Sequence, residues 1–422
     1  MSEFYDDDDD ARDVGTPVTY QARSTVERSD QQEEAARRIV RWFEECRARR
    51  RAGRPIEPFY LGGYAGTGKT TLAQGIAREL GGNWLFAAYT GKAALVLRRR
   101  GCHGAQTIHS MIYRPDGSMA DRIDESGRRI LSWKIWDESP LLEAPGVILD
   151  ECSMADTVVG RDLLSFGRPI LALGDPAQLP PVSGTGFFVG REPDYLLTEI
   201  HRQARDSGIL ELATHVRQGG AARDVDGWSC HDCEVVDRAN LVAGADSFWA
   251  RLLRADQVIV GTNDTRRWVN QRYREEVGRR SPWPERGERV VCLRNNREHG
   301  LLNGSMWRVE SAVPSDDKNT LDLSIYPDDE PSEGDGGESR TPVRVRAWAH
   351  HFAGRHDELG AVADPRAYQE FDWGYAITCH KAQGSQWPRV VVIDESASFR
   401  KDASRWLYTA ITRASERLEV LL

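Results

Sequence analysis

The string Gly63-Tyr64-Ala65-Gly66-Thr67-Gly68-Lys69-Thr70 constrains the chain more than any other segment, because it fits G-x-x-x-x-G-K-T and follows the apolar run Pro58-Phe59-Tyr60-Leu61. Glycines let backbone N–H groups close around phosphate oxygens, a lysine at 69 supplies a point charge to the β- and γ-phosphates, and the Thr70 hydroxyl can ligate Mg²⁺. The following Thr71-Leu72-Ala73-Gln74-Gly75-Ile76-Ala77 reads as a helix whose N-terminus faces those phosphates. Strand, loop and helix in this order predict an α/β fold with a nucleoside triphosphate at a strand end. The loop leaves open what the triphosphate drives.

At 422 residues and 40% hydrophobic content, the chain suffices for two to three domains with real cores. A net charge of −9 argues against a general nucleic-acid coat protein. The acid is uneven: Asp6, Asp7, Asp8, Asp9 and Asp10 form one run, and Asp328, Asp329, Glu330, Glu333, Asp335 and Glu338 a second cluster. Both read as solvated tails or loops, and the arginine clusters at 47–54 and 98–100 as helix faces. Seven scattered cysteines disfavour a disulfide framework and fit a reducing compartment. Cys230-His231-Asp232-Cys233 is the single C-x-x-C, a weak zinc signal without a second pair. With no apolar stretch of ~18 residues and no signal peptide, a soluble, cytoplasmic protein without membrane partners is expected.

Residues 1–25 lack apolar periodicity and read as an acidic disordered tail. Helical pattern begins after Ser29, a plausible N-cap, with Ala35, Ile39, Val40 and Phe43 on one face. Short apolar runs then alternate with helical stretches, near 84–89, 147–149, 169–173, 257–260, 389–393 and 418–422, which predicts two parallel-sheet units. Two segments break the rhythm. Residues 112–142 are polar and turn-rich and carry Trp133 and Trp136, as a small hairpin insertion would. Residues 286–365 hold three short strand patterns separated by loops, as a small β-barrel would.

Asp150-Glu151 ends the apolar Val147-Ile148-Leu149, where an open α/β sheet binds its ligand. Asp150 is suited to hold Mg²⁺ and Glu151 to orient and deprotonate the attacking water. Gln178, in Gly174-Asp175-Pro176-Ala177-Gln178-Leu179-Pro180-Pro181, follows another apolar strand and can sense a γ-phosphate; a Pro-rich turn is the plainer alternative.

In order along the chain, these strings resemble superfamily 1 helicases, most closely the 1B branch of RecD-like and phage Dda-like enzymes. Gln32 corresponds to the upstream glutamine that reads adenine, residues 63–70 to motif I, Thr90-Gly91-Lys92-Ala93-Ala94 to Ia and Thr107-Ile108-His109-Ser110 to Ib. Asp150-Glu151-Cys152-Ser153-Met154 corresponds to motif II, residues 174–181 to III and Leu197-Thr198-Glu199-Ile200-His201-Arg202-Gln203 to IV. Residues 375–386, including Thr378, His380, Lys381 and Gly384, correspond to motif V, and residues 407–414, including Arg413, to VI. Gln386 departs from the pattern, standing where many relatives carry Glu.

The resemblance spans about residues 26–422. It implies two RecA-like domains, 26–195 and 196–285 with 366–422, with a pin-type insertion at 112–142 and an SH3-like insertion at 286–365. ATP with Mg²⁺ is implied between them, at Gln32, Gly63, Gly66, Thr67, Gly68, Lys69, Thr70, Thr71 and Gly384, with Thr70 and Asp150 at the metal. Glu151, Gln178 and two arginine fingers, Arg202 and Arg413, are implied in catalysis. Lys92, Thr107, His109, Thr378, His380 and Lys381 are implied to line a single-stranded DNA track. The implied activity is ATP-driven 5′-to-3′ DNA unwinding by a monomer on single-stranded and forked DNA, with replication or recombination proteins as partners. The motif set leaves RNA unwinding open, as well as a nucleotide-dependent binding and loading role without unwinding.

Overall fold

The computed structural model describes residues 28–115, 122–123, 129–130, 133–180, 186–200, 206–241, 244, 247–296, 299–316, 318–328, 342–355, 358 and 367–422. The residue 1–25 tail, Arg202 with its neighbours in motif IV, and most of the second acidic cluster lie outside them.

Six parallel strands form the first sheet, in the order Tyr195–Leu197, Phe59–Gly63, Ile170–Gly174, Val147–Asp150, Leu85–Ala88, Gln106–Thr107. The central Phe59–Gly63 and Ile170–Gly174 strands are buried throughout, as expected of a parallel sheet covered on both faces. One face packs Ile39, Phe43, Leu72 and Ile76; the other packs Ile108, Met111, Leu163 and Phe188. Ser29 opens the Asp30–Arg51 helix through a reciprocal capping box with Gln32, which satisfies two otherwise orphaned backbone donors.

The second sheet is also parallel, ordered Cys233–Val236, Ala414–Leu421, Trp387–Ile393, Gln257–Val260, Ala376–Thr378. Its core gathers Leu212, Val216, Trp406, Leu407, Ile411 and Val392, and includes Leu179 from the first sheet's loop, so the two units share apolar surface. Burying that surface favours their association by roughly 25 cal/mol per Å².

Between the Gln257–Val260 and Ala376–Thr378 strands of the second sheet, the sequence forms a five-stranded antiparallel sheet: Val343–Trp348, Thr320–Pro327, Met306–Pro314, Arg289–Cys292, Phe371–Trp373. A parallel bridge between Ala347 and Gln369, with Trp348 N–H donating to the Gln369 carbonyl at 2.8 Å, joins its two ends and closes it on itself. The sheet takes in Phe371–Trp373, so it runs past residue 365. Within residues 112–142, two short antiparallel ribbons form, Tyr113–Pro115 with Trp133–Ile135 and Arg122–Ile123 with Arg129–Ile130.

Candidate functional site

The Lys69–Leu80 helix begins directly at the phosphate loop, with Gly68 as its N-cap at φ +76, a conformation that a Cβ would strain. Its first N–H groups therefore point into the loop with no side chain between them and a ligand. Lys69 Nζ donates to the Gly63 and Tyr64 carbonyls at 2.6 and 3.1 Å. Its ammonium is thus held inside the loop where phosphates would sit. Thr67 is buried and donates to the Tyr64 carbonyl, which fixes the loop's curl. Gln32 is buried beside it, its amide donating to the Thr67 carbonyl at 3.1 Å and its Oε1 accepting from Ser29 N–H.

Thr70 Oγ1 donates to Asp150 Oδ2 at 3.0 Å, uniting the two residues expected at a metal. A hydroxyl and a carboxylate are hard oxygen donors, which suits Mg²⁺, an ion that takes few protein ligands and completes its shell with water and phosphate. Among the described residues no group of three or more His, Cys, Asp or Glu is placed to hold a metal ion, the C-x-x-C segment included. Desolvation, then the Glu151 charge, pushes the Asp150 carboxyl above the usual range. Glu151 itself sits at φ +51, left-handed for a non-glycine residue, which turns the chain sharply at the strand's end.

Gln178 is buried at the same end of the first sheet, and its Oε1 has no protein partner. An orphaned buried acceptor in a cleft suits a water or phosphate-bound group. Arg413 enters from the second sheet. It is 4% exposed, yet its guanidinium is held only by the Thr409 and Ser385 carbonyls and the Thr412 hydroxyl, with no carboxylate partner among the described residues. Buried cations are ordinarily paired. Arg413, Gln178, Glu151, Asp150, Lys69 and Gly384 all line one cavity of about 1440 Å³.

The residues expected along a strand divide into separate groups. Lys92 lies over the Trp387 ring at 4.3 Å, bridging the two sheets. The turn at Gly384 rests on the Gly91–Arg99 helix that carries Lys92, since a Cβ there would fall 3.1 Å from that of Ala93. Thr107 caps the Ile108–Ile112 helix, its Oγ1 accepting from Ser110 N–H and donating to Ser110 Oγ. Thr378 occupies the same N-cap position on Cys379–Ala382 but makes no such bond. His109 lies between Tyr89 and Tyr113. Burial lowers the pKa of both His109 and His380, and that of Lys381, where nearby Arg266 adds to the effect and Asp372 opposes it. Among the described residues no hydrogen bond or ion pair joins the Thr107–His109 group to the Thr378–Lys381 group.

Sequence reasoning missed the residues that tie the second sheet onto the phosphate loop. Tyr408 Oη accepts from Ala65 N–H at 3.0 Å and donates to Asp175 at 2.7 Å. Thr409 Oγ1 accepts from Leu179 N–H, and Gln383 donates to the Leu179 carbonyl. Arg217 covers the Tyr64 ring at 3.8 Å. Tyr408 and Gln383 stand within strings already singled out, but their side-chain targets are unmarked in the sequence.

Residues 54–233 match an AAA domain family, and residues 374–421 match the UvrD-like helicase C-terminal domain. The ATP-dependent RecD2 DNA helicase of Deinococcus radiodurans is 26% identical over 379 residues, covering 85% of this chain and 46% of that protein. The RecBCD enzyme subunit RecD of Mycolicibacterium smegmatis is 27% identical over 425 residues, covering 90% of this chain and 71% of that one. Along most of its length the chain is similar to RecD-type DNA helicases, and its matched domain families are those of AAA and UvrD-like helicase proteins. Bacteroides Pif1 in complex with ADP-AlF3 and ssDNA shares the fold, with a TM-score of 0.53 at 18% identity, covering 94% of this chain and 92% of that one. This helicase homologue spans less than half the length of RecD2, so what RecD2 does as a whole is not carried over by the match. No helix among its described residues is long and apolar enough to cross a membrane.

Proposed function

We propose that the chain is an ATP-dependent DNA helicase that moves 5′ to 3′ along single-stranded DNA and opens forked duplex, acting in replication, recombination or repair. One observation carries this reading. The phosphate loop and the Asp150–Glu151 pair end strands of one parallel sheet, while Arg413, buried without a counter-charge, reaches the same cavity from the other. A phosphoryl-transfer site assembled from two units has its full cation set only when they close, which couples the chemical step to relative movement.

In this mechanism the loop N–H groups and Lys69 hold the β- and γ-phosphates, and Gln32 reads the base. Thr70 and Asp150 would hold Mg²⁺, which supplies charge neutralisation at the phosphates. Glu151 orients water and takes its proton as the new oxygen bond to the γ-phosphorus forms and the bond from that phosphorus to the β,γ-bridging oxygen breaks, leaving ADP and phosphate. Gln178 Oε1 accepts from the same water, and Arg413 offsets charge growing on the transferred group. Arg202 is proposed as a second finger. Release of phosphate reopens the cleft and shifts the grip of Lys92 relative to that of Thr378, His380 and Lys381, with Thr107 and His109 completing the track. The domain division of 26–195 against 196–285 with 366–422, with the barrel as an inserted clamp, fits this alternation. A single chain in a reducing cell interior is sufficient for it.

The test is strand displacement on duplexes bearing either a 5′ or a 3′ single-stranded tail, with Lys69→Ala alongside. The expected result is ATP-dependent opening from the 5′ tail only, lost in Lys69→Ala. Opening from the 3′ tail alone would reject the polarity, and ATP turnover indifferent to single-stranded DNA would reject the helicase reading.

A further inference from the structure

Tyr408 is 2% exposed, and its hydroxyl makes two bonds with no lone proton to spare. A phenol has one donor proton, and that proton goes to Asp175 Oδ2 at 2.7 Å. Towards Ala65 N–H, at 3.0 Å, the oxygen therefore accepts. Asp175 is itself 2% exposed. Its other oxygen accepts from Ala177 N–H at 2.9 Å; burial pushes this carboxyl above the usual range, and the Lys69 ammonium opposes that shift. The two bonds thus tie together the phosphate loop, the loop that carries Gln178, and the Ala403–Ile411 helix that precedes Arg413. Thr409, the next residue on that helix, fixes the far end of the Gln178 loop at Leu179.

A phosphate in the loop competes for this arrangement. If Ala65 N–H turns to a phosphate oxygen, the buried Tyr408 oxygen loses a partner, and leaving a buried polar atom unsatisfied is costly. Lys69, drawn from the Gly63 and Tyr64 carbonyls towards phosphate, also alters the field at Asp175. Both changes act on one hydroxyl. We propose that Tyr408 is a positioning residue that reports occupancy of the phosphate loop to the second sheet, through its paired hydrogen bonds to Ala65 and Asp175. This deepens the helicase reading and rests on it.

Tyr408→Phe removes the hydroxyl and keeps the buried ring. Three quantities are read: kcat and KM for ATP at saturating single-stranded oligonucleotide, and the ratio of oligonucleotide Kd with ADP to that with a non-hydrolysable ATP analogue. Loss of a hydrogen bond to a charged group corresponds to roughly tenfold or more. We expect kcat to fall about tenfold with KM within about threefold, and the Kd ratio to collapse to within about twofold of unity. Asp175→Asn, of the same shape, is expected to reproduce the loss, and the double variant to be no worse than either single one. It also serves if Tyr408→Phe does not fold. A wild-type Kd ratio retained by both variants, or losses that multiply in the double variant, would overturn the role of Tyr408 alone. A wild-type ratio of unity would instead reject the helicase reading together with this proposal.

Discussion

The Arg217 guanidinium lies 3.8 Å from the centroid of the Tyr64 ring, so a cation from the second sheet's Gly208–Arg217 helix covers an aromatic inside the phosphate loop. The same helix presses Leu210 against Gly66, where a Cβ would fall 3.1 Å from the leucine methyl. Closing the cleft thus includes a contact that nucleotide entry must accommodate. Cation–π pairs at partly exposed sites contribute about 0.5–1 kcal/mol. Arg217→Ala and Tyr64→Leu should each change the KM for ATP about two- to fivefold, and a double-mutant cycle on KM should recover a coupling of that size. Strictly additive effects would show that the stacking has no part in nucleotide binding.

Glu151→Gln should lower turnover by roughly 10²- to 10⁴-fold, the usual worth of a positioned base. ATP and oligonucleotide binding should survive, because the proposed phosphate contacts come from the loop and not from this carboxylate. Single-turnover hydrolysis alongside equilibrium binding separates the two. Hydrolysis at the wild-type rate would remove Glu151 from the chemistry.

How much of this was readable beforehand differs by element. Both parallel sheets were visible because strands buried on two faces are continuous apolar runs, as in Val147–Asp150 and Gln257–Val260. The phosphate loop was visible because its glycines are required by backbone geometry at Gly66 and Gly68. A small barrel was expected from the short strand patterns, but the residue that joins its ends was not, since Gln369 is a loop residue with no strand signature. The bond between Tyr408 and Ala65 joins positions 343 residues apart, and nothing local to a buried tyrosine names its partner. Thr107 and Thr378 looked alike in sequence, and only their caps tell them apart.

Those two threonines should respond oppositely to substitution. Thr107 spends its hydroxyl on Ser110, so Thr107→Ala should cost stability of about 1 kcal/mol, the usual value for a lost N-cap. Thr378 makes no cap bond, so Thr378→Ala should leave the unfolding midpoint nearly unchanged and weaken single-strand binding instead. Paired denaturation and anisotropy titrations decide the matter. A stability loss at Thr378 equal to that at Thr107 would remove it from the strand path.

Asp150 offers a case in which function and stability oppose one another. Its carboxyl is pushed above the ordinary range, first by burial and then by Glu151, so the folded state holds this proton more tightly than the unfolded state does. Its contribution therefore favours folding at low pH and is lost as pH rises from the ordinary carboxylate value through the raised one. Near neutral pH the ionised group is a burden on the free protein. Asp150→Asn should accordingly raise the melting temperature of the nucleotide-free protein by a few degrees, on the order of 1 kcal/mol for a chain this size, while abolishing turnover. A lower melting temperature would mean that its bond from Thr70 outweighs the burial.

The two histidines assigned to the strand path carry depressed pKa values, so the unfolded chain takes up their protons before the folded chain does. Their effect on stability is therefore unfavourable as pH falls through the ordinary histidine value of about 6.5. A phosphate at His380 reverses that sign for the complex, because it favours the imidazolium that the free protein disfavours. Single-strand affinity at constant salt should rise as pH drops from about 7.5 to 5.5, while the melting temperature of the free protein falls. His380→Gln should flatten the affinity profile without removing the binding proposed for Lys92 and Lys381. Anisotropy titrations across that pH range test it: a profile of His380→Gln parallel to wild type would take the imidazole off the strand.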